Sequence, residues 1–287
     1  KEEMYSFLKD EEETILPSFI DDFINNSISF SEETKEDSQS NVSTSGSLPD
    51  FATSLNDLYY EGKLPDVYGR DKEIDVLIET ISKKNKCNAI LTGCAGVGKT
   101  SVVEALASKI SKLDVPSSLI GVEILSVDLG SILAGTQYRG QFEQRFKAIL
   151  DQAKNNPGLI LFFDEIHTLF GAGSNQEGGL DAVNMLKPLL ARGDIKCIGS
   201  TTKEEYLKIF NKDAAMKRRF FEIEVGEPSK EDTKKILYNC KSKYEKFHNV
   251  KFSKNIVDYI VDSSDVLLSN KKFPDKAFDI LDQVGSR

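Results

Sequence analysis

Residues Gly93-Cys94-Ala95-Gly96-Val97-Gly98-Lys99-Thr100 read G-x-x-x-x-G-K-T, and this octapeptide constrains the chain more than any other feature. The apolar run Ala89-Ile90-Leu91 precedes it and a helical pattern from Lys99 follows, so the motif joins a strand to a helix. That context fits a phosphate-binding loop. Its glycines leave room for backbone N–H groups to turn inward around phosphate oxygens, where a β-carbon would block the approach. Lys99 then neutralises charge at the β- and γ-phosphates, and the Thr100 hydroxyl serves Mg²⁺. Such a loop calls for an acidic strand end elsewhere in the same sheet. Leu159-Ile160-Leu161-Phe162-Phe163 has the continuous apolar pattern of a fully buried strand and runs into Asp164-Glu165. Carboxylates there lie at the carboxyl edge of the sheet, where ligands bind in open α/β folds. Asp164 is expected to hold Mg²⁺ through water. Glu165 is expected to activate the attacking water as general base.

The surrounding pattern supplies the fold. Strands are expected at Ala89–Leu91, Glu123–Asp128, Leu159–Phe163, Ile195–Gly199 and Phe220–Val225. Helices are expected at Asp71–Lys83, Lys99–Lys112, Gln141–Lys154 and Leu180–Arg192, with a short one over Ala52–Tyr60. This alternation predicts an α/β domain over residues 51–227 with a mostly parallel five-stranded sheet. After Pro228 the strand signal stops. Lys230–Tyr244, Ser253–Val266 and Pro274–Val284 read as helices, which predicts a small all-helical domain over 228–287. Upstream, residues 1–30 show near-helical apolar spacing and read as the remnant of a preceding helical domain. Residues 31–50 are acidic and Ser-rich and read as a linker. The first residue is Lys1 rather than Met, which reads as a fragment or a processed form.

Charge narrows the function class. Of the 46 acids and 37 bases, residues 1–50 carry 13 acids and three bases. The remainder, 33 acids and 34 bases, has a net charge of +1. A domain that lives on nucleic-acid backbones shows a clear basic excess, so no nucleic-acid partner is expected. No run of about 18 apolar residues occurs, so no membrane span is expected either. Cys87, Cys94, Cys197 and Cys240 form no C-x-x-C pair and there are two histidines, which reads as reduced thiols in a cytosol-like compartment.

From about Phe51 to Arg287 the chain resembles the first AAA+ module of the Clp ATPases, the ring-forming protein unfoldases that include ClpA, ClpB and ClpC. The resemblance rests on the phosphate loop and acidic pair, on Leu64-Pro65-Asp66-Val67-Tyr68-Gly69-Arg70 and on Leu133-Ala134-Gly135-Thr136-Gln137-Tyr138-Arg139-Gly140. It rests also on Asp164-Glu165-Ile166-His167-Thr168, Gly199-Ser200-Thr201-Thr202, Lys217-Arg218-Arg219-Phe220 and Pro274-Asp275-Lys276-Ala277, all in family order. The Phe51–Leu64 entry segment and Gly199-Ser200-Thr201-Thr202 lean toward ClpA. Tyr68 stands where an aliphatic residue is usual, and Gln137 where Lys is common.

The resemblance implies an AAA+ core with a helical lid and an ATP-driven unfoldase that feeds a partner Clp peptidase. A ClpB-like disaggregase is the alternative, and a nucleic-acid AAA+ machine a more distant one. It implies a homo-hexamer, unfolded or tagged protein substrates, and a bacterial cytoplasm or an organelle stroma or matrix. It implies that Val67 and Tyr68 wrap adenine and that Thr202 is the polar sensor that contacts the γ-phosphate or the attacking water, with Thr201 the runner-up. Arg218 and Arg219, two of only seven arginines, are implied to reach a neighbouring subunit's ATP. Tyr138, between two glycines, is implied to grip polypeptide in an axial pore, and Gly171–Gly179 resembles a second pore loop. His167 reads as an orienting or packing residue.

Overall fold

The computed structural model describes residues 51–133, 139–171, 179–210 and 213–287. The expected helical remnant at 1–30 and linker at 31–50 lie outside the described residues. In chain order the strands are β1 (Ala52–Ser54), β2 (Asn88–Thr92), β3 (Glu123–Val127), β4 (Leu159–Phe163), β5 (Lys196–Thr201) and β6 (Phe220–Glu224). They form one sheet in the order β1-β3-β4-β5-β2-β6. Every pairing is parallel except that of β1 with β3, which is antiparallel.

The sheet therefore has one strand more than the five expected, and the extra strand lies where a helix was expected to begin. Ser54 explains the difference. Its backbone is extended, with φ −73° and ψ 118°, and its hydroxyl accepts from the Asp57 N–H at 3.2 Å. The helix α1 (Leu55–Tyr60) thus starts only after this N-cap. The three residues ahead of it alternate buried, exposed, buried, a run too short to announce a strand.

Six further helices of the α/β layer follow the expected positions or fill gaps between them. These are α2 (Asp71–Ile81), α3 (Lys99–Ser111), α4 (Leu129–Leu133), α5 (Arg139–Asn155), α6 (His167–Gly171) and α7 (Gly179–Arg192). Beyond β5 come α8 (Lys203–Phe210) and α9 (Ala214–Lys217). The four unexpected ones, α4, α6, α8 and α9, are eight residues or shorter, so their periodicity is too brief to read.

Strand geometry decides the layering. β4 is buried at every position, so alternate side chains feed opposite cores. Leu161 and Phe163 join Phe146, Leu186 and Phe210 on one face. Ile160 and Phe162 join Leu77, Val102 and Leu106 on the other. Burying each such side chain contributes roughly 1.5–3 kcal/mol, which holds the four parallel strand ends beneath the site in fixed register.

Past the sheet, α10 (Lys230–His248), α11 (Lys254–Leu267) and α12 (Asp275–Gly285) form their own core around Leu237, Phe252, Val261 and Leu281. Ser229 and Ser253 cap the first two by accepting from the N–H groups of Asp232 and Ile256. The α10–α11 turn is pinned by the buried Glu245. Its Oε1 accepts from Lys241 Nζ at 2.7 Å and from the Phe252 N–H at 2.8 Å. None of the described helices is long and apolar enough to cross a membrane.

Candidate nucleotide site

The site is built from the carboxyl ends of adjacent parallel strands. Gly93 follows β2, Asp128 follows β3, Asp164 follows β4 and Thr202 follows β5. At the loop's root a β-carbon on Gly93 would come within 2.4 Å of the Val225 carbonyl oxygen, so only glycine fits. At its other end Gly98 is left-handed, with φ +92°, and forms the N-cap of α3. The first N–H groups of α3 therefore open toward the cleft, the arrangement that receives phosphate. Lys99 Nζ donates to the carbonyls of Gly93 and Cys94 at 3.1 and 2.8 Å. Burial lowers the Lys99 pKa, while Asp164, Cys94 and Glu165 act to raise it.

Val97 faces the other way. Its side chain is packed in the core, and its carbonyl accepts from Arg70 Nη2 at 2.6 Å. Arg70 is itself buried and donates from Nη1 to Glu73 Oε1 at 2.9 Å. The entry segment thus clamps the backbone of the phosphate loop.

Across the cleft, Thr100 Oγ1 donates to Asp164 Oδ2 at 2.8 Å. The buried Ser200 hydroxyl donates to Asp164 Oδ1, and the Glu165 N–H donates to the same oxygen at 3.1 Å and to Ser200 Oγ at 3.2 Å. Glu165 itself is left-handed, with φ +50°, which turns the chain sharply after β4. Burial and the Asp164 charge together push the Glu104 carboxyl up on the neighbouring α3. A hydroxyl and a carboxylate held side by side fit Mg²⁺, a hard cation that takes oxygen ligands and keeps several waters. Among the described residues no group of three or more His, Cys, Asp or Glu could hold a metal alone.

Thr202 Oγ1 accepts from the Glu205 N–H at 3.3 Å and so caps α8 while lining the cleft. Thr201 Oγ1 lies 3.1 Å from His167 Nδ1. The cleft has a volume of about 790 Å³ and is closed on one side by Pro274, Asp275 and Phe278 from the helical region. A smaller cavity of about 250 Å³ adjoins the loop. Val67 and Tyr68 line it together with Val97, Ile236, Tyr244 and Phe278.

The structure does not bring Arg218 and Arg219 into this site. Both are exposed and precede β6, which runs parallel to β2 with Phe220 opposite Asn88. They lie at the amino end of the sheet, about 15 Å of strand away from the phosphate loop. Cys94 is exposed and does not line the cleft. Tyr138 and most of the Gly171–Gly179 loop lie outside the described residues. Sequence reasoning assigned no role to Arg70, Ser200 or Asp275, whose contacts with Val97, Asp164 and Gly96 lie far along the chain, nor to Asp128, whose local cap on Gly130 and Ser131 falls at the start of a helix too short to read.

Residues 89–227 match the family model described as ATPase family associated with various cellular activities, and residues 229–287 match an AAA lid domain. An ATP-dependent Clp protease ATP-binding subunit ClpA homolog of Guillardia theta is 44% identical over 258 residues, 89% of this chain and 31% of that protein. A chaperone protein ClpB of Mycobacterium bovis is 46% identical over 241 residues, 84% of this chain and 28% of that protein. The chain thus spans about three tenths of the length of the curated relatives it matches. An S. cerevisiae Hsp104-ADP complex superposes with a TM-score of 0.77 at 38% identity, covering 83% of this chain and 33% of that one. A closed-state reconstruction of Hsp104 with ATPyS and FITC casein gives 0.75 at 38%, covering 82% and 40%.

Proposed function

The chain belongs to the Clp family of AAA ATPases, and on that premise we propose that it is the first ATPase module of a ring that unfolds and threads polypeptide. The observation that carries the reading is the convergence of Lys99, Thr100, Asp164, Glu165 and Thr202 on one cleft between the sheet edge and the last helices. In this reading residues 51–227 form the ATPase domain and 228–287 the lid. The loop Gly93–Thr100 binds the phosphates, and Thr100 with Asp164 orders Mg²⁺, which when bound neutralises charge on the transferring phosphoryl group. Glu165 takes the proton of the attacking water, and Thr202 orients that water or the γ-phosphate. Val67 and Tyr68 cover the adenine.

The polypeptide substrate is inferred from relatives, one of which was solved with casein. Six copies forming a homo-hexameric ring would let Arg218 and Arg219 of one copy serve the cleft of the next. Delivery to a partner Clp peptidase is the reading we favour, supported by the ClpA homolog. Disaggregation is the second, supported by the ClpB and Hsp104 likenesses. Tyr138 supplies the grip. The test is Tyr138→Ala in the assembled full-length protein, with ATPase and substrate-unfolding assays run side by side. ATP turnover persists and unfolding of a tagged folded substrate falls sharply, while Tyr138→Phe retains most of it. Normal unfolding by Tyr138→Ala would overturn the threading role.

A further inference from the structure

The lid brings a carboxylate to the phosphate loop. A β-carbon placed on Gly96, where φ is +78°, would come within 2.8 Å of Asp275 Cβ and 3.1 Å of Asp275 Oδ2. Asp275 is the first residue of α12 and lines the same cleft as Lys99, Thr100, Asp164 and Glu165. The segment ahead of it is anchored: Glu227 Oε1 accepts from the Phe273 N–H at 2.9 Å and Glu227 Oε2 pairs with Lys272 at 3.0 Å. Behind it, the buried Lys276 pairs with Asp265 at 3.0 Å. The start of α12 is therefore held from both sides, and Asp275 moves with the lid rather than with its own loop.

Charge makes that placement consequential. The described residues lining the cleft include four acids, Asp128, Asp164, Glu165 and Asp275, and one lysine or arginine, Lys99. Asp128 is engaged, since its carboxylate accepts from the N–H groups of Gly130 and Ser131 and caps α4. Asp164 and Glu165 have roles in the reading above. The Asp275 carboxylate makes no hydrogen bond or ion pair among the described residues, and Lys271 feels its charge only at longer range. Like charges a few ångströms apart in a partly desolvated cleft repel, and the repulsion grows with the charge on the ligand.

We propose that Asp275 is a specificity-determining residue of the nucleotide site: closing the lid brings its carboxylate toward the polyphosphate, so closure is opposed more over a triphosphate than over a diphosphate. The proposal rests on the nucleotide-binding reading of the cleft. It gives the lid a way to distinguish ATP from ADP that needs no basic residue on the lid.

The test is titration calorimetry of the full chain with Mg²⁺-ATPγS and Mg²⁺-ADP, at low and high salt. Asp275→Asn tightens ATPγS about fivefold and ADP about twofold at low salt, and raised salt shrinks both gains. The sign is diagnostic. An acid in the first turn of α12 stabilises that helix, so a merely structural Asp275 would give weaker binding when replaced. Asp275→Glu keeps the charge and the parent ATPγS-to-ADP ratio. Asp275→Ser substitutes for Asn if thermal unfolding shows that the amide loosens the lid. An unchanged ratio, weaker ATPγS binding, or a gain indifferent to salt overturns the proposal. If the parent chain binds neither nucleotide, or Lys99→Ala binds both as well as the parent, the underlying reading has failed instead.

Discussion

Arg70 Nη2 donates to the Val97 carbonyl across 2.6 Å, so a buried guanidinium from the entry segment is fastened to the backbone of the phosphate loop. The same group pairs with Glu73 at 2.9 Å, which leaves its charge compensated. Removing one partner of such a buried, charge-assisted set leaves the others unsatisfied. Arg70→Ala is expected to destabilise the fold by about 2–4 kcal/mol and to weaken nucleotide binding, because the loop loses its clamp. Arg70→Lys recovers little, since one ammonium cannot reproduce a fork aimed at two acceptors. Urea denaturation at constant slope and a nucleotide titration check both points.

The acidic pair separates binding from chemistry. Glu165→Gln keeps the shape of the turn after β4 and leaves the Thr100–Asp164 contact untouched. Nucleotide affinity should therefore stay near the parent value while turnover in the assembled protein falls by about 10²–10⁴. Lys99→Ala should do the reverse at the first step and weaken binding itself. Equilibrium titration beside a phosphate-release assay distinguishes the two. Parent-rate hydrolysis by Glu165→Gln would remove the general-base assignment.

What the sequence made legible follows from how local each feature is. The phosphate loop and the Leu159–Glu165 strand are contiguous, and their chemistry is written in one run of residues each. The Arg70–Val97 clamp spans 27 positions and the Ser200–Asp164 contact 36, so neither leaves a local pattern. The smaller cavity is assembled from the segments around Val67, Val97 and Tyr244, which meet only once the sheet and lid have packed. β1 escaped because three residues cannot display a period of two against the helix that follows immediately. Asp275 was visible as part of a family-like segment, but its approach to Gly96 is a tertiary fact.

Glu245 predicts how the lid responds to acid. Hydrogen bonds from Lys241 and from the Phe252 N–H hold its carboxyl down at about 2, below the ordinary 4.5. A depressed folded-state pKa means the stabilisation is fully present above the unfolded value and is lost as pH falls through the folded one. The parent should therefore lose stability between pH 4.5 and about 2 in part through this group. Glu245→Gln should be less stable near neutrality and should show a flatter acid limb, so the gap between the two proteins narrows as pH falls. Thermal unfolding across that range measures it. A gap independent of pH would mean that Glu245 acts through packing and not through its charge.

Arg218 and Arg219 offer a test of assembly. The carbonyl of Arg219 accepts from Asn88 Nδ2 at 3.3 Å, which ties this corner to the amino end of β2, while the phosphate loop leaves from the carboxyl end of the same strand. Both side chains are exposed and neither lines the cleft of its own chain. If they act, they act on another copy, so a lone chain binds nucleotide with half a catalytic site. Turnover per chain should rise with protein concentration, and each of Arg218→Ala and Arg219→Ala should reduce turnover in the assembled protein while sparing nucleotide affinity. Fingers of this kind are worth about 10³–10⁵ in rate in comparable enzymes, so the loss should be large for at least one of the two. The decisive experiment mixes Glu165→Gln chains, whose cleft cannot activate water, with Arg218→Ala/Arg219→Ala chains, whose cleft is intact. Activity recovered in the mixture, from two inactive parents, requires the arginines of one chain to serve the cleft of another. A concentration-independent rate of the parent chain, equal to that of the assembled protein, would show instead that one copy holds a complete site.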